Sequence, residues 1–163
     1  MKKLLPLIAI VLLHLGACKK STDSSTTPTT TGDNSWVLAG VSYKTLISIR
    51  TLTSGGTVNT LFNFYDVVPS ATAKINSVTL SFVTAPTASG TYQLVGVGQA
   101  KTATQCEIAV GTAVPSAYGY IGASTDITVT VTGGKVKIVV PEITLKGTTG
   151  QADAKFSGSL QEL

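Results

Sequence analysis

The sequence predicts an all-β domain, an antiparallel β-sandwich of immunoglobulin-like or similar type, with a small closed β-barrel as the alternative. Three observations lead to this fold class. Apolar and polar residues alternate with period two through many short segments rich in Val, Ile and Thr. Turn signals separate these segments at spacings of about 8–12 residues, as in sandwiches and barrels. An apolar pattern of helical period does not persist anywhere for three turns.

The first 17 residues have the composition of a secretory signal peptide. Two lysines follow Met1, and an apolar run of 12 residues extends from Leu4 to Leu15. A membrane-spanning helix needs about 20 apolar residues, so this run fits the core of a signal peptide better.

The apolar run ends in Leu15-Gly16-Ala17-Cys18, which closely resembles the lipobox of bacterial lipoproteins. The two small residues leave room for a protease to grip the backbone, and the thiol is the nucleophile that takes up a diacylglyceryl group. The resemblance therefore implies that residues 1–17 are removed and that Cys18 becomes the lipidated N-terminus. Two or three acyl chains, palmitate among them, would hold the protein firmly at a membrane.

The residue after the cysteine bears on the location within the cell envelope. In bacterial lipoproteins an aspartate at this position is linked to retention in the inner membrane, whereas this chain has Lys19. The resemblance therefore favours the outer membrane and leaves its periplasmic or surface-exposed face open.

Residues 18–35 are predicted to form a disordered tether behind the lipidated cysteine. Ten of the 17 residues from Lys19 to Ser35 are Ser or Thr, and none is aliphatic or aromatic. Such a segment cannot bury enough apolar surface to offset its ordering entropy. The composition also permits an O-glycosylated stalk.

The folded domain is predicted over residues 36–163, which is 128 residues and one domain of ordinary size. It carries 8 Lys and Arg against 6 Asp and Glu, so it is nearly neutral. The absence of a basic patch argues against nucleic acid as a partner.

Strands are predicted in chain order from alternation and turn signals. Early strands fall in WVLAGVSYK, TLISIR and TVNTLFNFY, with turn signals at Ser54-Gly55-Gly56 and later at Thr148-Thr149-Gly150. Three sets of apolar residues should each share one face of a strand: Val78, Leu80 and Phe82; Tyr92 and Leu94 after a turn from Pro86 to Gly90; and Ala154, Phe156 and Leu160, with Gly158 between them.

The clearest hairpin is DITVTVTGGKVKIVV. Ile127, Val129 and Val131 alternate with threonines before the turn, and three further apolar residues alternate with lysines after it. Gly133-Gly134 supplies the positive φ that a two-residue hairpin turn requires.

Together, the tether, the start WVLAGVSYKTL and the ending VTVTGGKVKIVVPEITLKGTTGQADAKFSGSLQ resemble the small β-sandwich lipoproteins of diderm bacteria, which are mostly domains of unknown function. The resemblance implies the fold and the membrane anchor. It brings no catalytic residues with it.

Residues for catalysis are few. His14 is the one histidine and leaves with the signal peptide, which removes Ser-His-Asp and Cys-His catalysis and histidine-ligated zinc. Cys106 shares a face with Ile108 and Val110 and is predicted to be a small buried hydrophobe. The domain carboxylates are predicted to solvate turns and edges, with Asp126 at a strand start and Glu142 at a strand break; the full set is Asp66, Glu107, Asp126, Glu142, Asp153 and Glu162.

One aromatic motif is a candidate binding site. In SAYGYIG, Tyr118 and Tyr120 are two apart, so on a strand they project to the same side and could form a shelf on which sugars stack. The alternative is that both rings cap one end of the core. Trp36, the first residue of the predicted domain, is expected to plug an open end of the core.

The function predicted from these features is a membrane-anchored, non-enzymatic binding or interaction module, with a polysaccharide or another envelope protein as candidate partners. The alternative is a lipocalin-like carrier of an apolar ligand, which would keep an interior cavity of several hundred Å³. No metal is expected, because histidine is lost with the signal peptide and no cluster resembles a calcium loop. No cofactor is expected either, since Gly96 and Gly98 lack the third glycine and the helix of a dinucleotide motif.

Overall fold

A computed structural model of the chain describes residues 33–53, 58–114, 116–148 and 150–163. Within these ranges the chain forms eleven β-strands and no helix, so the all-β prediction is confirmed. No helix in the described ranges is long and apolar enough to cross a membrane. The strands are β1 (Ser35–Leu38), β2 (Val41–Lys44), β3 (Ile47–Leu52), β4 (Thr60–Tyr65), β5 (Ser77–Phe82), β6 (Gly90–Leu94), β7 (Gln105–Gly111), β8 (Ala117–Gly119), β9 (Thr125–Thr132), β10 (Lys135–Gly147) and β11 (Ala154–Gln161).

The strands follow the order β2-β1-β11-β10-β9-β6-β7-β5-β4-β3, and β8 bridges β10 and β7. Strands β10, β9, β6, β7 and β8 therefore close into a ring of five. Strands β11, β1 and β2 extend one side of this ring, and β5, β4 and β3 extend the other. The fold thus combines the two predicted alternatives, a closed barrel at the centre and sheets that continue from it.

One strand pair departs from the predicted antiparallel arrangement. Strand β6 runs parallel to β7, with Gln93 opposite Gln105 and Leu94 opposite Cys106, while the other pairs are antiparallel. A parallel pair needs a connection that crosses from one end of the sheet to the other. Residues 95–104 make this connection, and they position the groove described below.

The core is filled by the side chains that the alternation placed inward. Phe82 lies at its centre, edge-on to Phe62 at 5.6 Å between ring centroids and to Tyr92 at 6.0 Å. Trp36 is fully buried and stacks on Tyr43 at 5.6 Å, so it is part of the core. The predicted inward sets of β5, β6 and β11 are all buried.

The predicted hairpin joins β9 and β10 in the expected register. Thr132 is opposite Lys135, and Gly133 and Gly134 adopt φ values of 57° and 78°. A second two-residue turn joins β1 to β2 through Ala39 and Gly40, with φ of 50° and 80°. The turn signal at residues 54–56 lies outside the described residues.

The described structure includes ordered contacts before the predicted domain boundary at residue 36. Ser35 is already part of β1, where it is opposite Ser159, and the Asn34 side chain accepts a hydrogen bond from the backbone N–H of Gln161 at 3.1 Å. Asp33 forms an ion pair with Lys137. The polar residues just before Trp36 are thus held by β10 and β11, which composition alone could not indicate.

Candidate functional site

The two predicted tyrosines project to the same side, but that side is the interior. Tyr118 lies half-buried on β8, and Tyr120, just after it, is 6% exposed. The Tyr120 hydroxyl contacts the Thr125 hydroxyl at 2.7 Å and donates to the carbonyl of Ala123. The pair therefore caps the core and does not present the exposed shelf that the sequence suggested.

A glycine explains why the Tyr120 ring can turn inward. A Cβ atom at Gly122 would lie 2.6 Å from the Tyr120 hydroxyl oxygen, so only glycine lets the chain fold back over this ring. The glycines around the tyrosines therefore serve close packing. Their presence beside an aromatic residue was the available sequence signal for burial.

Cys106 occupies the buried position that the sequence predicted. It lies on β7 with Ile108 and Val110, and all three are at most 1% exposed. Burial raises the pKa of the Cys106 thiol to about 12, while the nearby Lys101 lowers it and Glu107 raises it further. A thiol with this pKa is protonated at neutral pH and is a poor nucleophile. Cys18 lies outside the described residues.

The carboxylates of the domain are mostly engaged by cations. The ion pairs are Asp33 with Lys137, Glu107 with Lys101, Glu142 with Lys155, Asp153 with Lys146 and Glu162 with Arg50. Asp66 accepts hydrogen bonds from the backbone and side chain of Asn76. Asp126 is exposed at the start of β9, as predicted. Within the described ranges no three His, Cys, Asp or Glu residues come together as a metal site.

A surface groove of about 480 Å³ lies beside the connection from β6 to β7, and we call it the Lys101 groove. Its lining comprises Asn59, Val83, Gly98, Gln99, Ala100, Lys101 and Glu107. Four parts of the fold thus meet there: the end of the β3–β4 connection, the end of β5, the crossover that the parallel β6–β7 pair requires, and the start of β7.

A largely buried ion pair lies at the base of this groove. The Lys101 ammonium group donates to Glu107 at 2.7 Å and to the hydroxyl of Ser81 at 3.1 Å. The second oxygen of Glu107 accepts the backbone N–H of Gly98 at 2.6 Å. The side chains of Lys101 and Glu107 are 8% and 18% exposed, so water screens this pair far less than an ordinary surface pair.

The conformation of Gly98 contributes to this arrangement. Its φ of 84° lies in the left-handed region, which glycine adopts without strain. In this conformation its N–H points at the Glu107 carboxylate, so the crossover is held by a backbone donor as well as by Lys101.

The groove offers hydrogen-bonding groups without net charge. An ammonium group has three donors, of which Lys101 uses two on Ser81 and Glu107. Gln99 adds an exposed amide at the rim, and Val83 adds an apolar surface. Sequence reasoning missed this site because Lys101 and Glu107 belong to different segments. The one available signal was that Glu107 lies between the inward residues Cys106 and Ile108 and must therefore face outward.

No protein-family model, curated protein sequence or solved structure matches this chain. The geometry of the described residues and the N-terminal sequence are therefore the basis for a functional proposal.

Proposed function

We propose that this chain is an extracytoplasmic lipoprotein, anchored to the outer membrane through Cys18, whose β-domain is a non-enzymatic binding module for an uncharged, hydroxyl-rich ligand such as a glycan. The anchor rests on the lipobox-like Leu15-Gly16-Ala17-Cys18 and the Ser/Thr-rich segment that follows it. The ligand class rests on the Lys101 groove. Its neutral, hydrogen-bonded Lys101–Glu107 pair is the observation that carries this part of the proposal.

The chemistry of the groove suits sugars because hydroxyl groups both donate and accept. The third donor of Lys101 can bind a hydroxyl oxygen, and the Gln99 amide offers both a donor and an acceptor. A neutral pair attracts neither anions nor cations over long range, so a strongly charged ligand gains little there. An open groove at the surface can also accept an internal unit of a long chain.

Binding is favoured over catalysis by the state of the reactive groups. The Cys106 thiol is buried, and both Glu107 and Glu162 are held by cations. A glycosidase needs one carboxyl group that keeps a proton at neutral pH and a second that acts on the sugar from about 5–9 Å away. In this chain Glu107 and Glu162 are instead engaged by Lys101 and Arg50 and by backbone N–H groups, so their oxygens are already occupied by hydrogen bonds.

Binding at the surface is also favoured over carriage of an apolar ligand. The interior of the fold is occupied by packed apolar side chains, with Phe82 in contact with both Phe62 and Tyr92. A lipocalin-like carrier would need this volume for its ligand. In contrast, the Lys101 groove is open to solvent and has polar walls.

The anchor is tested by growing cells with labelled palmitate. The full-length chain should incorporate the label, and the Cys18→Ala variant should remain as unlabelled precursor. An unlabelled wild-type chain would contradict the anchor and leave the binding proposal standing.

The groove is tested on a glycan array followed by titration of any glycan that binds. The Gln99→Ala variant should weaken binding by about tenfold, which corresponds to one hydrogen bond of about 1.4 kcal/mol. Gln161→Ala is the matched control, because it removes another exposed amide on the last strand, outside the Lys101 groove. Equal binding by wild type and Gln99→Ala would place the site elsewhere.

A further inference from the structure

Strand β3 is an edge strand with a free row of backbone groups. It stands at one end of the strand order and pairs with β4 alone among the described strands. Thr53, just after β3, donates its N–H to the carbonyl of Asn59, and this pair continues the register of β3 with β4. The odd-numbered residues of β3 are therefore the ones whose backbone groups bond to β4. The alternation of an antiparallel ladder then directs the N–H and C=O groups of Ser48, Arg50 and Leu52 away from β4.

The same edge exposes apolar side chains. Ile49 is 41% exposed and Leu52 is 70% exposed, while Leu46, which directly precedes the strand, is 52% exposed. Natural sheets usually protect an edge with a short strand, proline or charged side chains, lysine above all. Strand β2, at the other end of the order, has four residues and ends in an exposed Lys44, whereas β3 has six residues and carries neither lysine nor proline.

We propose that β3 pairs antiparallel with β3 of a second copy of this chain, with Ile49 opposite Ile49 on the two-fold axis. In this register Ser48 is opposite Arg50 of the second copy, and both residues direct their free backbone groups across the interface. Leu46 lies beside Leu52 of the second copy at the end of the new ladder and contributes a side-chain contact only, because its N–H is bonded to the carbonyl of Tyr65 in its own chain. The symmetry repeats each pair. The exposed apolar residues of the edge thus contact one another, which is the self-complementarity that a two-fold interface requires.

The charge on β3 is compatible with this register. Arg50 donates to Glu162 at 2.8 Å and to the carbonyl of Gly134 at 2.9 Å, and its guanidinium lies 5.0 Å from the ring centre of Phe62. It is therefore neutralised within its own chain and is opposite a serine in the dimer. A register centred on Arg50 would instead place two guanidinium groups opposite each other, which is unfavourable.

The pairing of two six-residue strands gives a small interface, so the dimer should be weak, with a dissociation constant roughly in the micromolar range. It leaves the Lys101 groove unchanged and does not depend on what that groove binds.

The register is tested by disulfide formation in the purified full chain under mild oxidation. Ile49→Cys should form a disulfide-linked dimer, because directly opposed residues in a non-hydrogen-bonded antiparallel pair have Cα atoms about 4.5 Å apart. Thr51→Cys is the matched control on the same face of the same strand. Two copies of Thr51 would lie about 13 Å apart, four residues along the partner strand, so this variant should not cross-link above the wild-type background.

The interface energy is tested by sedimentation equilibrium of the full chain in density-matched detergent. Leu52→Lys should raise the dissociation constant about tenfold or more, since it disrupts two symmetric Leu46–Leu52 contacts. Ile121→Lys is the control, because Ile121 is similarly exposed, at 63%, in the connection from β8 to β9. A chain that stays monomeric at hundreds of micromolar, equal cross-linking of the two cysteine variants, or a dimer unaffected by Leu52→Lys would overturn the proposal.

Discussion

Replacement of Val129 by aspartate should unfold this domain, whereas the same replacement at the next residue should leave it intact. Val129 is 1% exposed on β9, with Ile138 opposite it on β10 and Gly90 opposite it on β6. Neither neighbour has a side chain that can hydrogen-bond to a carboxylate. Thr130 is exposed and is opposite Lys137, so a new carboxylate there would stay hydrated beside a cation that already pairs with Asp33.

The expected magnitude follows from two contributions. Loss of the buried valine side chain costs about 1.5–3 kcal/mol. Burial raises the pKa of an interior carboxyl group by up to about 3–5 units, which costs about 4 kcal/mol at pH 7, because the buried group then binds a proton that an ordinary aspartate, with a pKa of about 3.9, would release. The sum is comparable with the whole stability of a domain, about 5–15 kcal/mol. The second contribution should shrink as the pH falls towards the ordinary pKa of aspartate, so Val129→Asp should regain part of its stability in mild acid.

The assay is urea unfolding, followed through the fluorescence of Trp36, the single tryptophan, which is fully buried. Thr130→Asp should change the unfolding free energy by at most about 0.5 kcal/mol. Val129→Thr, which is similar in size but adds an unpartnered hydroxyl, should remain folded and lose about 1–3 kcal/mol. Equal losses at the two positions would refute the face assignment, and the reverse order would indicate a register slip of one residue.

Two further predictions concern the C-terminal ion pair and the buried thiol. A double-mutant cycle with Arg50→Met and Glu162→Gln should give a coupling energy of about 1 kcal/mol. This energy should decrease with added salt, because the Arg50 side chain is 37% exposed. Zero coupling at low salt would contradict the bidentate contact between the two side chains. Burial raises the folded-state pKa of Cys106 to about 12 from 9.0. The protonated thiol therefore contributes fully to the free energy of unfolding below pH 9, and this contribution is lost as the pH rises towards 12. Between pH 8 and about pH 10.5 the wild type should therefore lose about 2 kcal/mol more stability than Cys106→Ala, and parallel losses would show that the thiol ionises normally.

Local alternation predicted the faces of strands but not their partners. The inward sets on β5, β9 and β11 could be identified because a half-buried strand needs an apolar residue at every second position. The sequences of β6 and β7 do not indicate that the two strands pair in parallel, because this pairing depends on the path of the connecting residues 95–104. The turn between β1 and β2 was also missed, because Ala39 has a φ of 50°, a conformation that alanine seldom adopts.

The candidate site shows the same limit more sharply. The prediction that Tyr118 and Tyr120 project to the same side was correct, but a spacing of two residues does not show whether that side is the core face or the solvent face of a short strand. That choice depended on Gly122, which leaves space for the Tyr120 hydroxyl. In the groove, Lys101 reaches Glu107 only because the crossover folds back over β7. The contact of Gly122 with Tyr120 and that of Lys101 with Glu107 are tertiary contacts, so the alternation of residues along single strands could not predict them.

The irregular point in β10 explains how one strand can help to close the ring of five. Pro141 and Glu142 together are opposite the single residue Ser157, so the strand contains a β-bulge where the sequence suggested a break. Before the bulge the even-numbered residues up to Val140 face inward, and after it the odd-numbered Ile143 and Leu145 do so. The extra residue restores the apolar face, and proline is tolerated because regular pairing is already interrupted there. Since the pairing with β9 ends before the bulge and the pairing with β8 begins after it, the change in direction allows β10 to meet both.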